Sequence, residues 1–290
     1  VFFEGAEYEA KLKGRMLKHA LGQSPVAVGD NVEFEFDPVK LALIERVLSR
    51  GRILARQDVY VKGRKQIIAA NLDQLVIISS TAEPSFRPGL VDRFLISAEK
   101  NELAPVIVIN KIDIESIDNF APTIDAWKAL GYQVIAVSAK NGDGIDEVAK
   151  MLADKTSAFA GHSGVGKSTI INALAPRLAL KTSEISSATG KGIHTTSMVR
   201  MFPLIGGGWI IDTPGLKVFD ISEIKPDDLK KYFPEINERA SDCRFDDCDH
   251  LNEPGCAVKE AVENGKIATF RYQSYEKFWQ ELSSPRTTER

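Results

Sequence analysis

The sequence predicts a multidomain chain: a small N-terminal β-barrel, a central α/β domain on a mostly parallel sheet, and a mostly helical C-terminal module stapled by a metal ion. Three observations carry this. Short strand candidates without a long helix fill residues 1–70. Strand and helix signals alternate from Leu72 to about Ile221. All three cysteines lie between Cys243 and Cys256, beside His250. The boundaries fall at 1–70, 71–221 and 222–290.

In the first part, Tyr8–Lys13 alternates apolar and polar residues, Val28-Gly29-Asp30 is a turn signal, and Asn31–Phe36 alternates again. Leu41–Leu48 and Gln66–Ala69 are further strand candidates. Short strands in this arrangement suggest a barrel, with the OB type leading and another small β-domain as the alternative.

In the second part, Leu75–Ser79, Pro105–Ile109, Val134–Val137, Ser157–Ala160, Met198–Leu204 and Trp209–Ile211 read as strands. Gly89–Asn101, Ile124–Leu130, Ile145–Leu152 and Lys167–Leu174 read as helices. Alternation of this kind predicts an open sheet with helices on both faces. Lys181–Ser197 interrupts it, rich in Ser, Thr, Gly and Lys, and a loop of that length in a compact domain is functional or disordered.

In the third part, a short helix near Pro226–Tyr232 precedes the cysteines, and helices follow. Tyr272, Tyr275, Phe278, Trp279 and Leu282 recur at helical spacing and are expected to pack within the region.

Bulk composition excludes some classes. The chain is 43% hydrophobic and 27% charged, as soluble globular domains are. No apolar run approaches the roughly 18 residues of a spanning helix, and no secretory signal is visible after Val1. The formal charge of −3 argues against bulk nucleic-acid affinity. Charge is uneven, however: Arg46–Lys65 holds seven basic residues and one acid, Asp58. Aromatics near that stretch are few, chiefly Tyr60, so contact with an RNA backbone is expected there in preference to base reading. Acidic residues instead surround the cysteines. Clustered cysteines with a histidine indicate metal, not disulfides, and a reducing cytoplasmic setting.

Four motifs carry chemistry. Gly161-His162-Ser163-Gly164-Val165-Gly166-Lys167-Ser168 fits G-x-x-x-x-G-K-S. Its backbone N–H groups turn around phosphate oxygens, Lys167 reaches the β- and γ-phosphates, and the Ser168 hydroxyl binds Mg²⁺. Thr169 follows on the helix, whose N-terminus favours anions. Asp212-Thr213-Pro214-Gly215 follows an apolar strand. There Asp212 can hold a Mg²⁺-bound water and Gly215 N–H can meet the γ-phosphate. Asn110-Lys111-Ile112-Asp113 offers a carboxylate for guanine N1–H and its exocyclic amine, a donor pair adenine lacks. Lys111 can lay its stem along the base, and Asn110 can brace the phosphate loop. Ser138-Ala139-Lys140 can present a backbone N–H to guanine O6. All four sit at carboxyl ends of predicted strands, where such sheets bind ligands. They predict GTP and GDP as ligands, with Mg²⁺.

The order of these motifs is rotated: the base elements precede the phosphate loop. That implies a circularly permuted GTPase domain. With a barrel before it and a Cys/His cluster after it, the chain resembles the RsgA family of circularly permuted GTPases. The resemblance implies an N-terminal OB fold, a P-loop GTPase, a C-terminal zinc module, and a role in maturing the small ribosomal subunit through contact with its rRNA. Gly192-Ile193-His194-Thr195-Thr196 is similar to the family's G-x-H-T-T switch, so Thr195 or Thr196 is implied as a further Mg²⁺ ligand. The family's phosphate loop commonly has Gln where this chain has His162.

Cys243-x4-Cys248-x-His250-x5-Cys256 offers three thiolates and an imidazole, which suit one structural zinc ion. Leu216 follows Asp-Thr-Pro-Gly, where many GTPases place a water-orienting Gln. His194 is therefore the candidate for orienting the attacking water. The reading is a monomeric, cytoplasmic GTP-hydrolysing factor of the small ribosomal subunit, with no membrane partner. The alternative is a module whose GTP state controls RNA or protein docking, with incidental hydrolysis.

Overall fold

The computed structural model describes residues 1–14, 16, 25–36, 41–57, 65–175, 199–213 and 221–284. His194, Thr195, Thr196, Gly215, Leu216, Asp58, Tyr60 and the Lys181–Ser197 loop lie outside these.

The N-terminal strands are β1 (Phe2–Phe3), β2 (Ala6–Glu7), β3 (Ala10–Leu12), β4 (Val32–Phe36), β5 (Ala42–Val47), β6 (Ile53–Gln57) and β7 (Lys65–Ala70). Among the described residues they pair as three ladders, β1–β2, β3–β5–β4 and β6–β7. The short pairs β1 and β2 and the strand β6 carry too little alternation to have been read from sequence. The Val28-Gly29-Asp30 turn is locked from both sides. Asp30 accepts from Arg50 Nε at 2.6 Å and from the Ala27 N–H at 2.7 Å, while Asn71 donates to the Gly29 carbonyl at 2.8 Å.

The central sheet contains β8 (Gln74–Ser80), β9 (Ala104–Asn110), β10 (Gln133–Ala136), β11 (Thr156–Gly161), β12 (Arg200–Pro203) and β13 (Trp209–Asp212). Its order is β10-β9-β8-β11-β13-β12. All neighbours are parallel except the edge pair β12–β13. The helices are α1 (Pro88–Lys100), α2 (Ala121–Ala129), α3 (Ile145–Leu152) and α4 (Lys167–Leu174). The two-residue period of each strand divides its side chains between the sheet's faces. On β8, Leu75 and Ile77 join the core under α1 and α2, while Val76 and Ile78 join the core under α3 and α4. Both faces are thus covered, and the strands read as continuous apolar runs for that reason. Leu54 and Ala69 of the N-terminal ladders enter the first of these cores.

The C-terminal segment contains a 3-10 turn (Pro226–Tyr232), α5 (Pro234–Ala240), α6 (Ala257–Glu263) and α7 (Thr269–Ser283). Tyr272, Tyr275 and Phe278 are buried in its own core, against which Trp279 and Leu282 pack, as their spacing predicted. That core also takes Ile96 from α1. Helix α1 is therefore buried on two faces, one against the sheet and one against this segment, which explains an unbroken buried run from Val91 to Ala98.

The second contact is polar. Arg271 of α7 donates to Asp92 Oδ1 of α1 at 2.6 Å, with the two side chains 1% and 0% exposed. Ser274 and the Trp127 indole also donate to Asp92, at 2.6 and 3.0 Å, and Arg271 donates to Glu235 at 2.6 Å. Burial pushes the Asp92 carboxyl up, and the Arg271 charge with the Ser274 and Trp127 donors pulls it back. A fully buried pair of this kind is costly to form but more costly to break. Asp92→Ala is accordingly expected to lower unfolding stability by about 3 kcal/mol or more, as read by chemical denaturation.

Candidate functional site

Three loops meet at the carboxyl ends of β9, β11 and β13, and one buried side chain joins two of them. Asn110 ends β9 and is 3% exposed. Its Nδ2 donates to the Val165 carbonyl of the phosphate loop at 2.9 Å, and its Oδ1 accepts from the Ala139 N–H at 3.0 Å. The bracing role read from sequence is thereby realised, and it also reaches the Ser138-Ala139-Lys140 loop.

The phosphate loop leaves β11 at Gly161 and enters α4 at Lys167. Gly166 has φ +94°, and a Cβ there would lie 2.2 Å from Asn110 Nδ2. Only glycine lets the loop pass so close to its brace. Lys167 Nζ donates to the carbonyls of Gly161 and His162, at 2.8 and 3.3 Å. Burial lowers its pKa, opposed by the nearby Asp212 charge. Ser168 is half-buried on the first turn of α4, with exposed Thr169 beside it. Ser163 and Gly164 are exposed at the loop's tip, and Val165 is buried beneath it. His162 Nδ1 lies 3.0 Å from the Ser163 carbonyl, a contact within the loop.

Asp212 ends β13. Burial raises its pKa, and Lys167 and Arg200 draw it down. Its Oδ1 is buried and has no hydrogen-bond partner among the described residues. A buried, partnerless carboxylate oxygen is costly unless something occupies the space before it. A hydrated divalent cation fits that demand.

On the base side, Ser138 is fully buried and donates through Oγ to Asp113 Oδ1 at 2.7 Å. The Asn141 N–H donates to the same Ser138 oxygen at 3.2 Å. Asp113 is thus oriented at the surface, and Lys140 is exposed next to it. Lys111 adopts φ +68° and sends its ammonium to the Glu83 carbonyl. Thr81 and Glu83, which contact Lys111, were not singled out from sequence. The Thr81 hydroxyl donates to the Lys111 carbonyl and Glu83 accepts through its own carbonyl; neither residue belongs to a motif, so only the run of polar residues closing β8 hints at them.

The metal-ligand set also comes together. The ligand atoms of Cys243, Cys248, His250 and Cys256 lie within 4.8 Å of one another. His250 Nδ1 is 3.5 Å from Cys243 Sγ and 3.6 Å from Cys256 Sγ, and those two sulfurs are 4.0 Å apart. A tetrahedral zinc ion with ordinary bond lengths places sulfur and nitrogen about 3.5 Å apart and two sulfurs about 3.8 Å apart. The residues fit that ion. Burial pushes the Cys248 thiol up to about 12 and His250 down to about 4. The imidazole is therefore a neutral ligand, while burial also raises the Cys256 thiol, and a bound cation would favour the thiolates of Cys248 and Cys256. Tyr272 and Tyr275 of α7 donate to the His250 and Asp249 carbonyls, at 2.7 and 3.1 Å, and fix the loop from behind. The Glu253 carboxylate accepts from the N–H groups of Asp249, Leu251 and Asn252.

The basic stretch is partly neutralised within the fold. Arg46 pairs with Glu33, Arg50 with Asp30 at 2.6 Å, and Lys65 with Glu223 at 3.1 Å. Arg52 is exposed. No helix among the described residues is long and apolar enough to cross a membrane.

Comparisons with known proteins agree with this geometry. Residues 47–222 match the family model described as RsgA GTPase. A protein of Christiangramia forsetii named small ribosomal subunit biogenesis GTPase RsgA is 39% identical over 279 residues, covering 94% of this chain and 89% of that protein. A Chlorobaculum parvum protein of the same name is 44% identical over 262 residues, covering 88% and 84%. Among solved structures, YjeQ from Thermotoga maritima matches with a TM-score of 0.74 at 36% identity, covering 98% of this chain and 93% of that one. YloQ, described as a circularly permuted GTPase, matches with a TM-score of 0.70 at 32% identity, covering 96% and 88%.

Proposed function

Because the chain belongs to the RsgA GTPase family, we propose that it is a GTP-hydrolysing factor that binds the small ribosomal subunit and assists its late maturation, with turnover stimulated by the subunit. The observation that carries the nucleotide reading is the Asn110 junction. It holds the phosphate loop and the base loop in one register at the carboxyl edge of the sheet.

The residues take these roles. Asp113, oriented by Ser138, accepts the guanine N1–H and amine, and the backbone of Ser138-Ala139-Lys140 faces O6. Lys167 exchanges the carbonyls of Gly161 and His162 for β- and γ-phosphate oxygens, which removes the burial penalty on its charge. Backbone N–H groups from Gly161 to Thr169 cradle the phosphates. Ser168 and Asp212 hold Mg²⁺ directly and through water, and Thr195 or Thr196 joins them in the GTP state. Held there, Mg²⁺ would supply positive charge against the charge that develops on the phosphates. Gly215 N–H meets the γ-phosphate, and His194 orients the attacking water.

We assign residues 1–70 to an OB-type barrel that touches rRNA, 71–221 to the permuted GTPase, and 222–290 to a module holding one structural zinc. With Arg46, Arg50 and Lys65 in ion pairs, Arg52 is the described cation of that stretch best placed for an RNA backbone. The factor works as a monomer in the cytoplasm. Leu216 supports a second reading. An apolar side chain cannot orient water by a hydrogen bond, so GTP state would control docking and hydrolysis would be incidental.

Single-turnover GTP hydrolysis with and without purified small subunits separates the two. Stimulation by small subunits and none by large subunits is expected; its absence favours the docking module. In the same assay His194→Ala is expected to lose roughly 100-fold in stimulated turnover while GTP affinity is retained. Chelation of zinc is expected to release hydrogen-exchange protection across 222–284 and to leave GDP binding in place. Full retained protection would remove the structural role of the metal.

A further inference from the structure

We infer that the turn Thr81–Pro84, between β8 and α1, is the seat of Lys111, and that Thr81 is a positioning residue for guanine-nucleotide binding. This rests on the assignment of the Asn110–Asp113 loop to the base side.

The turn grips that loop at three points. The Thr81 N–H donates to the Asn110 carbonyl at 3.0 Å. The Thr81 hydroxyl, on a residue 1% exposed, donates to the Lys111 carbonyl at 2.7 Å. The Lys111 ammonium returns to the Glu83 carbonyl. The turn is itself closed by Ser80 Oγ, which donates to the Pro84 carbonyl at 2.9 Å. On its other side it meets the phosphate loop: a Cβ added to Gly164, at φ +86°, would lie 3.3 Å from Pro84 Cδ.

Each grip has a physical purpose. Lys111 sits in the left-handed region, at φ +68°, which a residue with a Cβ holds only where its surroundings fix it. The Thr81 hydroxyl and N–H supply that constraint by engaging the carbonyls on both sides of the Lys111 nitrogen. The β-branched side chain of threonine restricts the rotamer from which its hydroxyl reaches this carbonyl. The long lysine side chain would otherwise lose rotamer freedom on meeting a nucleotide. Anchored on the Glu83 carbonyl, it is extended before the base arrives, and pre-organisation of this kind strengthens binding. A neutral carbonyl anchor also adds no negative charge beside the phosphates.

The test measures fluorescent GDP and GTP-analogue affinity, together with GTP KM and kcat in the presence of small subunits. Thr81→Val removes the hydroxyl and leaves the Lys111 carbonyl held only from its own loop, by the Ile114 and Glu115 N–H groups. It is expected to weaken nucleotide binding and raise KM about tenfold, with kcat unchanged. Thr81→Ser restores the donor and is expected to recover most of the affinity. A purely structural role for Thr81 would lower thermal stability without this KM-against-kcat split. Asp113→Asn serves as the control for the base site: it should shift preference from GTP to XTP, because xanthine presents a carbonyl where guanine has its amine. If Asp113→Asn switches preference and Thr81→Val binds as the parent does, the positioning role is overturned and the base site stands. If Asp113→Asn does not switch preference, the base-site assignment itself falls, and this inference with it. Should Thr81→Val not fold, hydrogen exchange of the unaltered protein decides. Segments 81–85 and 110–113 are expected to gain protection together on GDP binding, and protection gained by 110–113 alone overturns the proposal.

Discussion

The nucleotide site depends on one buried amide. Asn110 lies on β9 and the phosphate loop springs from β11, with β8 between them in the sheet. Nothing in local chain geometry sets the distance between those two loops. The Asn110 side chain does so by donating to the phosphate loop, and it also accepts from the Ala139 N–H of the loop after β10. Both of its partners are main-chain groups, so the amide fixes backbone, not rotamers, and the fixed backbone is what cradles phosphates and reads a base. Gly166 is constrained by the same contact, since any side chain there would displace the amide. Two separate sequence motifs therefore share a single hydrogen-bonding residue.

That junction explains why a rotated motif order leaves the site intact. A parallel sheet places its ligand-binding edge by strand order in space, not by strand order along the chain. Here β8 and β9 come first in sequence, yet β8 sits beside β11 with β9 on its other side. The chain can be opened at another connection provided the loops at the carboxyl ends still converge. What rotation changes is the attachment of the flanking parts. The N-terminal ladders enter through β7 into β8, a central strand, and contribute Leu54 and Ala69 to the core beneath α1. The C-terminal segment leaves after β13, next to Asp212.

Much of this was legible in the residues, and the parts that were not share a cause. The phosphate loop, the base loop and the Cys/His set are short local patterns, so spacing alone located them. Strands with two-residue periods and helices with apolar stripes were placed within a residue or two, except that α2 begins at Ala121, three residues before the expected Ile124. The two-residue strands carry too few positions for a period to emerge. Asp92 and Arg271 are 179 residues apart, and neither stands in a motif. A buried charge is recognised only when its partner is known, and no sequence pattern supplies that partner. The basic stretch was read as open charge, whereas Arg46, Arg50 and Lys65 are engaged with carboxylates that lie elsewhere in sequence. Thr81 escaped notice because its hydroxyl serves a backbone carbonyl, and backbone has no signature.

The rotated order suggests by itself that the C-terminal segment follows the phosphate-sensing strand. Its packing tells a different story. The segment is joined covalently after β13 but is held non-covalently on α1, the helix that follows β8. The two attachments differ in strength. Lys65 and Lys100 meet Glu223 near the start of the segment, at partly exposed positions where ion pairs are weak. Arg271 and Asp92 meet with both side chains buried, so separating them leaves a charge without solvent or partner. Displacement of the segment relative to α1 has to break the Arg271–Asp92 pair, whereas displacement of α1 and segment together keeps that pair and Lys100–Glu223 but breaks Lys65–Glu223, the Trp127–Asp92 hydrogen bond and the packing of α1 on the sheet. Helix α1 and the C-terminal segment are therefore joined by a buried contact, and the turn that seats Lys111 lies just before α1. The C-terminal segment thus adjoins the frame of the nucleotide site at two places: through α1 beside the base-side turn, and along the chain from the strand that bears Asp212.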